Sequence, residues 1–186
     1  MASQQLNLQI HDNLLTPEEC TDLLRVGREI GYLASHVLES GTSIQHQGRT
    51  STSSAIPVGY NPSVEKVEQR MADLFGVPVS YLEPLQLVRY TSNQEYRPHF
   101  DAFEVPSSTG QRVYTALAYL QCPSDGGATV FPRVQQQVTP VVGRVVTWRN
   151  VGKDNLRLLD SEHGGLPVFS GEKIALNIWV RDRPYR

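Results

Sequence analysis

Cysteine is scarce in this 186-residue chain, which has only Cys20 and Cys122. Their wide separation is not that of a zinc ribbon, and one pair is too few for a disulfide scaffold. Reduced, buried thiols are therefore expected, as in a reducing compartment. An excess of one charge is also lacking: 17 Lys and Arg against 19 Asp and Glu leave a formal net charge of −2. Without a basic excess or a run of like charge, the chain lacks the electrostatic footprint of a nonspecific nucleic-acid binder. No apolar run approaches the roughly 20 residues that a membrane-spanning helix needs. The opening MASQQLNLQIHDN has neither the basic start nor the apolar stretch of a secretory signal. A cytoplasmic location, with no nucleic-acid or membrane partner, is the resulting expectation. Repeats and low-complexity tails are missing too. The 39% apolar and 19% charged content is that of an ordinary globular protein, and the length suits one domain with a real core.

Two patterns divide that domain into a helical support with a polar loop over residues 1–84 and a strand-rich core over residues 85–186. Thr16-Pro17-Glu18-Glu19 is a helix start: Thr16 can cap, Pro17 suits the first helical position, and Glu19 completes a capping box. Leu23, Leu24, Val26, Gly27 and Ile30 follow, with Gly31 as the stop. A second helix is predicted to start at Asn61-Pro62-Ser63. Val64, Val67, Met71 and Leu74 then recur at three- and four-residue spacing up to Gly76. Residues 40–60 between the helices are rich in Ser, Thr, Gly and Gln and are expected to form a functional or mobile loop. Strand-like runs cover 85–90, 113–121, 128–131, 141–148 and 173–181, with breaks that include Ser124-Asp125-Gly126-Gly127 and Gly164-Gly165. Many short strands preceded by helices predict an α+β, mainly β chain: a two-sheet sandwich or jelly roll with helices outside.

Tyr96-Arg97-Pro98-His99-Phe100-Asp101 places His99 and Asp101 two residues apart. On a strand, such residues share a face, so an imidazole and a carboxylate can reach one ion. The chain has five histidines. His11, His36 and His46 lie in the N-terminal region or the polar loop. His163 precedes the last strand, where a partner sheet could set it opposite His99. Two His and one carboxylate leave three adjacent coordination positions open, the arrangement used in non-haem Fe(II) oxygen chemistry. A 2-oxo acid would fill two positions and O2 the third. A His-x-Asp triplet alone is weak, because it arises often by chance.

Lys173 opens a run that is otherwise largely apolar and ends in Asn177-Ile178-Trp179-Val180. A lysine at the mouth of a buried strand is costly unless its charge is paired. The distal carboxylate of a dicarboxylic co-substrate would pair it, although a long stem reaching solvent is the plainer alternative. Tyr90 and Tyr119 add phenols that need hydrogen-bond partners when buried, either in the core or on that carboxylate.

Several of these segments together resemble the core of prolyl 4-hydroxylases. They are Val88-Arg89-Tyr90, Tyr96 to Asp101, Arg112 with Thr115 and Tyr119-Leu120, and Gly126-Gly127-Ala128-Thr129-Val130-Phe131-Pro132. Pro140 with Gly143-Arg144, His163-Gly164-Gly165, Pro167-Val168, Gly171-Glu172-Lys173 and Trp179-Val180-Arg181 continue the match, and Arg49-Thr50-Ser51 matches an upstream element. The resemblance implies a double-stranded β-helix with His99, Asp101 and His163 as iron ligands. It also implies that Lys173 binds the distal carboxylate of 2-oxoglutarate, helped by Thr115 or Tyr119, with Tyr90 near the co-substrate and Trp179 near the metal. Family members hydroxylate proline in peptides, and many need ascorbate. This chain looks like a compact microbial or viral form. Where the family often has a glycine turn, it has Thr91-Ser92-Asn93-Gln94, and Asn tolerates the left-handed conformation such a turn needs.

Residues 40–60 and 104–111 are the expected lids over a proline-containing peptide or protein, with Arg49, Tyr60 and Arg157 as candidate contacts to its backbone. Other readings remain at this point. One is a 2-oxoglutarate oxygenase acting on another side chain or a free amino acid. Others are a cupin-like metal enzyme and a non-enzymatic module that binds polyproline helices.

Overall fold

The computed structural model describes residues 6–35, 37–39, 42–44 and 48–186. The two helices form where their local signals predict. Helix α1 (Pro17–Ile30) starts on a capping box: Glu19 N donates to Thr16 Oγ1 at 3.2 Å and Thr16 N donates to Glu19 Oε2 at 2.9 Å. Helix α2 (Pro62–Phe75) is capped by Asn61, whose Oδ1 accepts from Val64 N at 2.9 Å. It ends at Gly76 with φ of 65°, a left-handed position that glycine takes without steric cost. Cys20, Leu23 and Val26 of α1, and Val64, Val67, Met71 and Ala72 of α2, form the buried faces. Both cysteines are free thiols.

The strands in chain order are β1 (Gln9–His11), β2 (Leu33–Ala34), β3 (Val37–Glu39), β4 (Thr42–Ile44), β5 (Thr52–Ala55), β6 (Gln86–Tyr90), β7 (Tyr96–His99) and β8 (Arg112–Gln121). They continue as β9 (Asp125–Gly126), β10 (Thr129–Phe131), β11 (Gln136–Val138), β12 (Val145–Arg149), β13 (His163–Gly165), β14 (Val168–Ser170) and β15 (Lys173–Arg181). A seven-stranded antiparallel sheet runs β1-β12-β8-β15-β6-β5-β2, and a four-stranded sheet runs β11-β10-β13-β7. Phe131 of the smaller sheet meets Trp148 of the larger one edge-on, at a ring-centroid distance of 5.2 Å. The two sheets thus face one another as a jelly roll.

Strand alternation divides the large sheet into two functions. Ala116, Ala118 and Leu120 of β8, with Ile174, Leu176, Ile178 and Val180 of β15, face outward into a core shared with α1 and α2. The intervening Leu117 and Tyr119, with Ala175, face the other way and pack with Phe131, Val146 and Trp148 between the sheets. The helices therefore brace the back of the sheet, and the inner side chains are left to line a cleft.

Several expectations about the chain's organisation need correction. Five strands, β1 to β5, lie within the part expected to be helix and loop. Within the 40–60 segment, β5 pairs with β6 through Thr52↔Arg89 to Ala55↔Gln86, so this stretch belongs to the sheet. Polar Ser and Thr hid it, because its register is set by a distant partner. His36, His46 and residues 40, 41 and 45–47 lie outside the described residues. The run expected from residue 141 becomes strand only at Val145, after a turn through Gly143 at φ of 81°. The glycine breaks are partly strand as well: Gly126 lies in β9, and Gly164 and Gly165 lie in β13. Asn93 does take the left-handed conformation, with φ of 65°.

Candidate metal centre and co-substrate cleft

Antiparallel pairing of β13 with β7 sets His163 directly opposite His99, with ring centroids 4.3 Å apart. Gly164 makes this approach possible: a Cβ there would lie 2.9 Å from Tyr96 O and 3.1 Å from Pro98 N. Asp101 is not on the strand, as strict alternation would have it. Strand β7 closes at His99, and a bend carries the carboxylate back between the two rings. His99 Nε2 lies 3.8 Å from Asp101 Oδ1, and His163 Nε2 lies 3.5 Å from Asp101 Oδ2.

Both rings are held in the same way. His99 Nδ1 lies 2.9 Å from Arg97 O, and His163 Nδ1 lies 2.8 Å from Ser161 O. A carbonyl can only accept, so each Nδ1 carries a proton and each ring turns its Nε2 toward Asp101. Burial and the neighbouring His163 push the His99 pKa down to about 3, which keeps the ring neutral and ligand-ready. Burial pushes the Asp101 carboxyl up, but His163, His99, Arg112 and the Thr115 hydroxyl outweigh it and hold the pKa at about 2. One donor atom from each of the three residues falls within 4.8 Å of the others. Two imidazoles anchored through Nδ1 and an ionised carboxylate fit an open-sided iron site.

Around the triad, Tyr96 stacks on His99 at 3.5 Å, and Trp148 lies against His163 at 4.6 Å. Thr115 does not sit with Lys173, as the resemblance implied. Its Oγ1 donates to Asp101 Oδ2 at 2.7 Å and accepts from Asn150 Nδ2 at 2.8 Å. Register explains this: Thr115 pairs with both Trp148 and Trp179 across the sheet, well along β8 from Tyr119.

Lys173 is buried at 3% exposure on the inner face of β15, opposite Tyr90 of β6. Its Nζ donates to Gly127 O at 2.7 Å and stands 5.3 Å and 5.5 Å from the ring centroids of Tyr90 and Tyr119. It forms no ion pair among the described residues, and burial lowers its pKa to about 8. Tyr119 OH donates to Thr129 Oγ1 at 2.8 Å. Lys173, Tyr90 and Thr129 line the same cleft as His99, Asp101 and His163, a space of about 1240 Å³ between the sheets. A cation without a carboxylate thus shares one cleft with a three-donor set.

Arg49 and Arg157 reach this cleft, and Tyr60 does not. Arg49 Nη2 donates to Gln86 Oε1 at 3.1 Å, with the guanidinium 4.8 Å over the Tyr96 ring. Arg157 donates from Nε and Nη2 to Ala102 O at 3.2 Å and 3.0 Å, over the Phe100 ring, and so braces the bend that carries Asp101. Tyr60 instead donates to Glu29 Oε2 of α1 at 3.1 Å, because α1 and α2 pack on the back of the sheet. Trp179 lines the cleft with its ring 3.7 Å under the Arg112 guanidinium, while Trp148 takes the place against His163. Buried Glu83 accepts from Arg112 Nε and Nη2 at 2.6 Å and 2.8 Å, and from Arg181 Nε at 2.6 Å. Of residues 104–111, the expected lid, Glu104, Val105, Ser107 and Thr109 line the cleft, and Gln111 ties the base of the segment: its Oε1 accepts from Phe103 N at 2.8 Å and its Nε2 donates to Phe103 O at 2.9 Å. Trp148, Asn150 and the pairing through Glu83 were not foreseen. Their one signal was polar or bulky residues ending apolar strands, which does not reveal a partner.

The family model described as the 2OG-Fe(II) oxygenase superfamily matches residues 85–181. Prolyl 4-hydroxylase 5 of Arabidopsis thaliana is 32% identical over 205 residues, covering 95% of this chain and 69% of that protein. Prolyl 4-hydroxylase subunit alpha-1 of Homo sapiens is 38% identical over 134 residues, covering 67% of this chain and 25% of that protein. Among solved structures, the viral collagen prolyl hydroxylase of Paramecium Bursaria Chlorella virus-1, in its 2OG complex, superposes with a TM-score of 0.80. The two chains are 23% identical, and the superposition covers 97% of this chain and 99% of the viral one, a likeness of fold.

Proposed function

We propose the function from one premise: the chain belongs to the 2OG-Fe(II) oxygenase superfamily and, within it, to the prolyl 4-hydroxylase family. It is a 2-oxoglutarate-dependent dioxygenase that hydroxylates prolyl residues, at the 4-position, in a proline-containing peptide or protein. The observation that carries this reading is one cleft shared by the His99, Asp101 and His163 donors and a buried Lys173 without a carboxylate partner among the described residues.

Each residue has a role that follows from its surroundings. His99 and His163 present their Nε2 atoms, and Asp101 presents an ionised carboxylate, to Fe(II). Lys173 meets the distal carboxylate of 2-oxoglutarate, beside the Tyr90 and Tyr119 rings. When bound, Fe(II) with 2-oxoglutarate and O2 supplies C–H hydroxylation coupled to formation of succinate and CO2. The chain's polar groups orient what binds. Arg49 and Arg157 line the same cleft and are the contacts to an extended peptide, with Trp179 beside them. Ascorbate serves as the reductant that keeps the metal ferrous.

The test is to incubate the protein with Fe(II), ascorbate, 2-oxoglutarate and a proline-rich peptide, and then to map any added oxygen by fragmentation and amino-acid analysis. The reading predicts 4-hydroxyproline. Oxygen on another side chain would move the substrate assignment to that side chain, and an unmodified set of proline-rich peptides alongside steady succinate formation would reject prolyl hydroxylation.

A further inference from the structure

Asn150 is fully buried, lies just beyond the end of β12, and touches both halves of the metal centre without contributing a ligand. Its Nδ2 donates to Thr115 Oγ1 at 2.8 Å, and Thr115 Oγ1 donates to Asp101 Oδ2 at 2.7 Å. The hydroxyl has one proton. Because Asn150 donates to the oxygen, that proton goes to the carboxylate. The main chain of Asn150 is engaged as well. Its carbonyl accepts from Leu158 N at 2.9 Å, Leu158 O in turn accepts from Ser161 N at 3.1 Å and Ser161 Oγ at 2.7 Å, and Ser161 O is the carbonyl that orients His163 Nδ1. Its own N–H donates to Val113 O at 2.9 Å, which fixes the residue to the strand that carries Thr115. One acceptor, Asn150 Oδ1, is buried without a partner among the described residues. An unmet buried acceptor destabilises a fold, and a departure of that kind is typical of a residue kept for a site.

We infer that Asn150 is a positioning residue of the metal centre: its amide aims Asp101 through Thr115, and its carbonyl seats the turn that aims His163. This rests on the reading of His99, Asp101 and His163 as a metal site, and it adds the residue that couples two of the three ligands. Partners of this kind set ligand orientation and basicity, and losing one weakens metal binding by about 10- to 100-fold.

The experiment is a Co(II) titration of the full chain under anaerobic conditions, following the visible absorption of the bound ion, with the melting midpoint of the metal-free protein as the check on folding. Asn150→Ala and Thr115→Val are each expected to weaken Co(II) by about 10- to 100-fold. The double variant should lose little more than either alone, because both break one chain of bonds. Thr115→Ser should restore wild-type affinity and spectrum. A folded Asn150→Ala with wild-type affinity overturns the inference, as do losses that simply multiply in the double variant. Should Asn150→Ala not fold, Thr115→Val keeps the volume at the middle of the chain, and wild-type affinity there overturns the inference equally. Asp101→Ala is the control for the site itself. If it binds Co(II) as well as wild type does, the metal-centre reading fails and takes this inference with it.

Discussion

At Lys173, charge and burial oppose each other within a single side chain. Desolvation lowers its pKa to about 8, and a shift of that size corresponds to a cost on the order of 3 kcal/mol in the free protein. The sign is set by the folded pKa lying below the unfolded one. Below about 8 the cost is complete, and it fades as pH rises and the folded protein sheds the proton first. A bound carboxylate needs the ammonium, so it takes up that proton again at alkaline pH. The dissociation constant of 2-oxoglutarate should therefore be flat below pH 8 and rise by up to about tenfold per unit above it. Calorimetry across that range checks this, and a constant affinity would contradict it. Lys173→Met keeps the stem and removes the charge. The free variant should melt no lower than wild type, and 2-oxoglutarate should no longer raise its midpoint. At this scale the sequence named the three residues that come together, His99, Asp101 and His163, although Asp101 arrives by a bend and not by strand alternation. It was silent where a hydroxyl's partner is chosen by tertiary position. Thr115 went to Asp101 and Tyr60 to Glu29 for that reason.

Among the elements, the pairing of β7 with β13 brings the two imidazoles together, and it depends on a residue without a side chain. Every atom that would crowd a Cβ at Gly164 belongs to the backbone of β7, which cannot swing aside. Gly164→Ala should push β13 away and displace His163. The expected result is loss of metal binding with a smaller loss of stability, read by Co(II) titration beside a denaturation curve. Helix α1 offers the contrast. Thr16→Ala removes the hydroxyl that accepts from Glu19 N and should cost about 1 kcal/mol by denaturant unfolding, with the 2-oxoglutarate Michaelis constant unchanged, since α1 packs behind the sheet. Capping boxes, a proline at the first turn and a closing glycine are local signals, so both helices were legible to within a residue or two. The two- and three-residue strands β9, β13 and β14 were not. The glycines of β9 and β13 read as breaks, β14 is only three residues long, and long-range pairing alone makes all three strands.

For the whole molecule, two facing sheets supply everything the site requires. The large sheet turns one set of alternate side chains toward the helices and the other toward the cleft. The small sheet closes over it with the two histidines. The jelly roll followed from the count of short strands after helices, and its strand order did not, because pairings such as β12 with β8 or β15 with β6 leave no mark in local composition. This cleft couples decarboxylation of 2-oxoglutarate to hydroxylation of a prolyl residue. The most direct measurement is the ratio of succinate to 4-hydroxyproline formed by the iron-loaded protein on a proline-rich peptide, with His163→Ala alongside. The account predicts equal amounts of the two products and neither from the variant. Succinate that forms without hydroxyproline, or hydroxyproline that persists when His163 is gone, would contradict it.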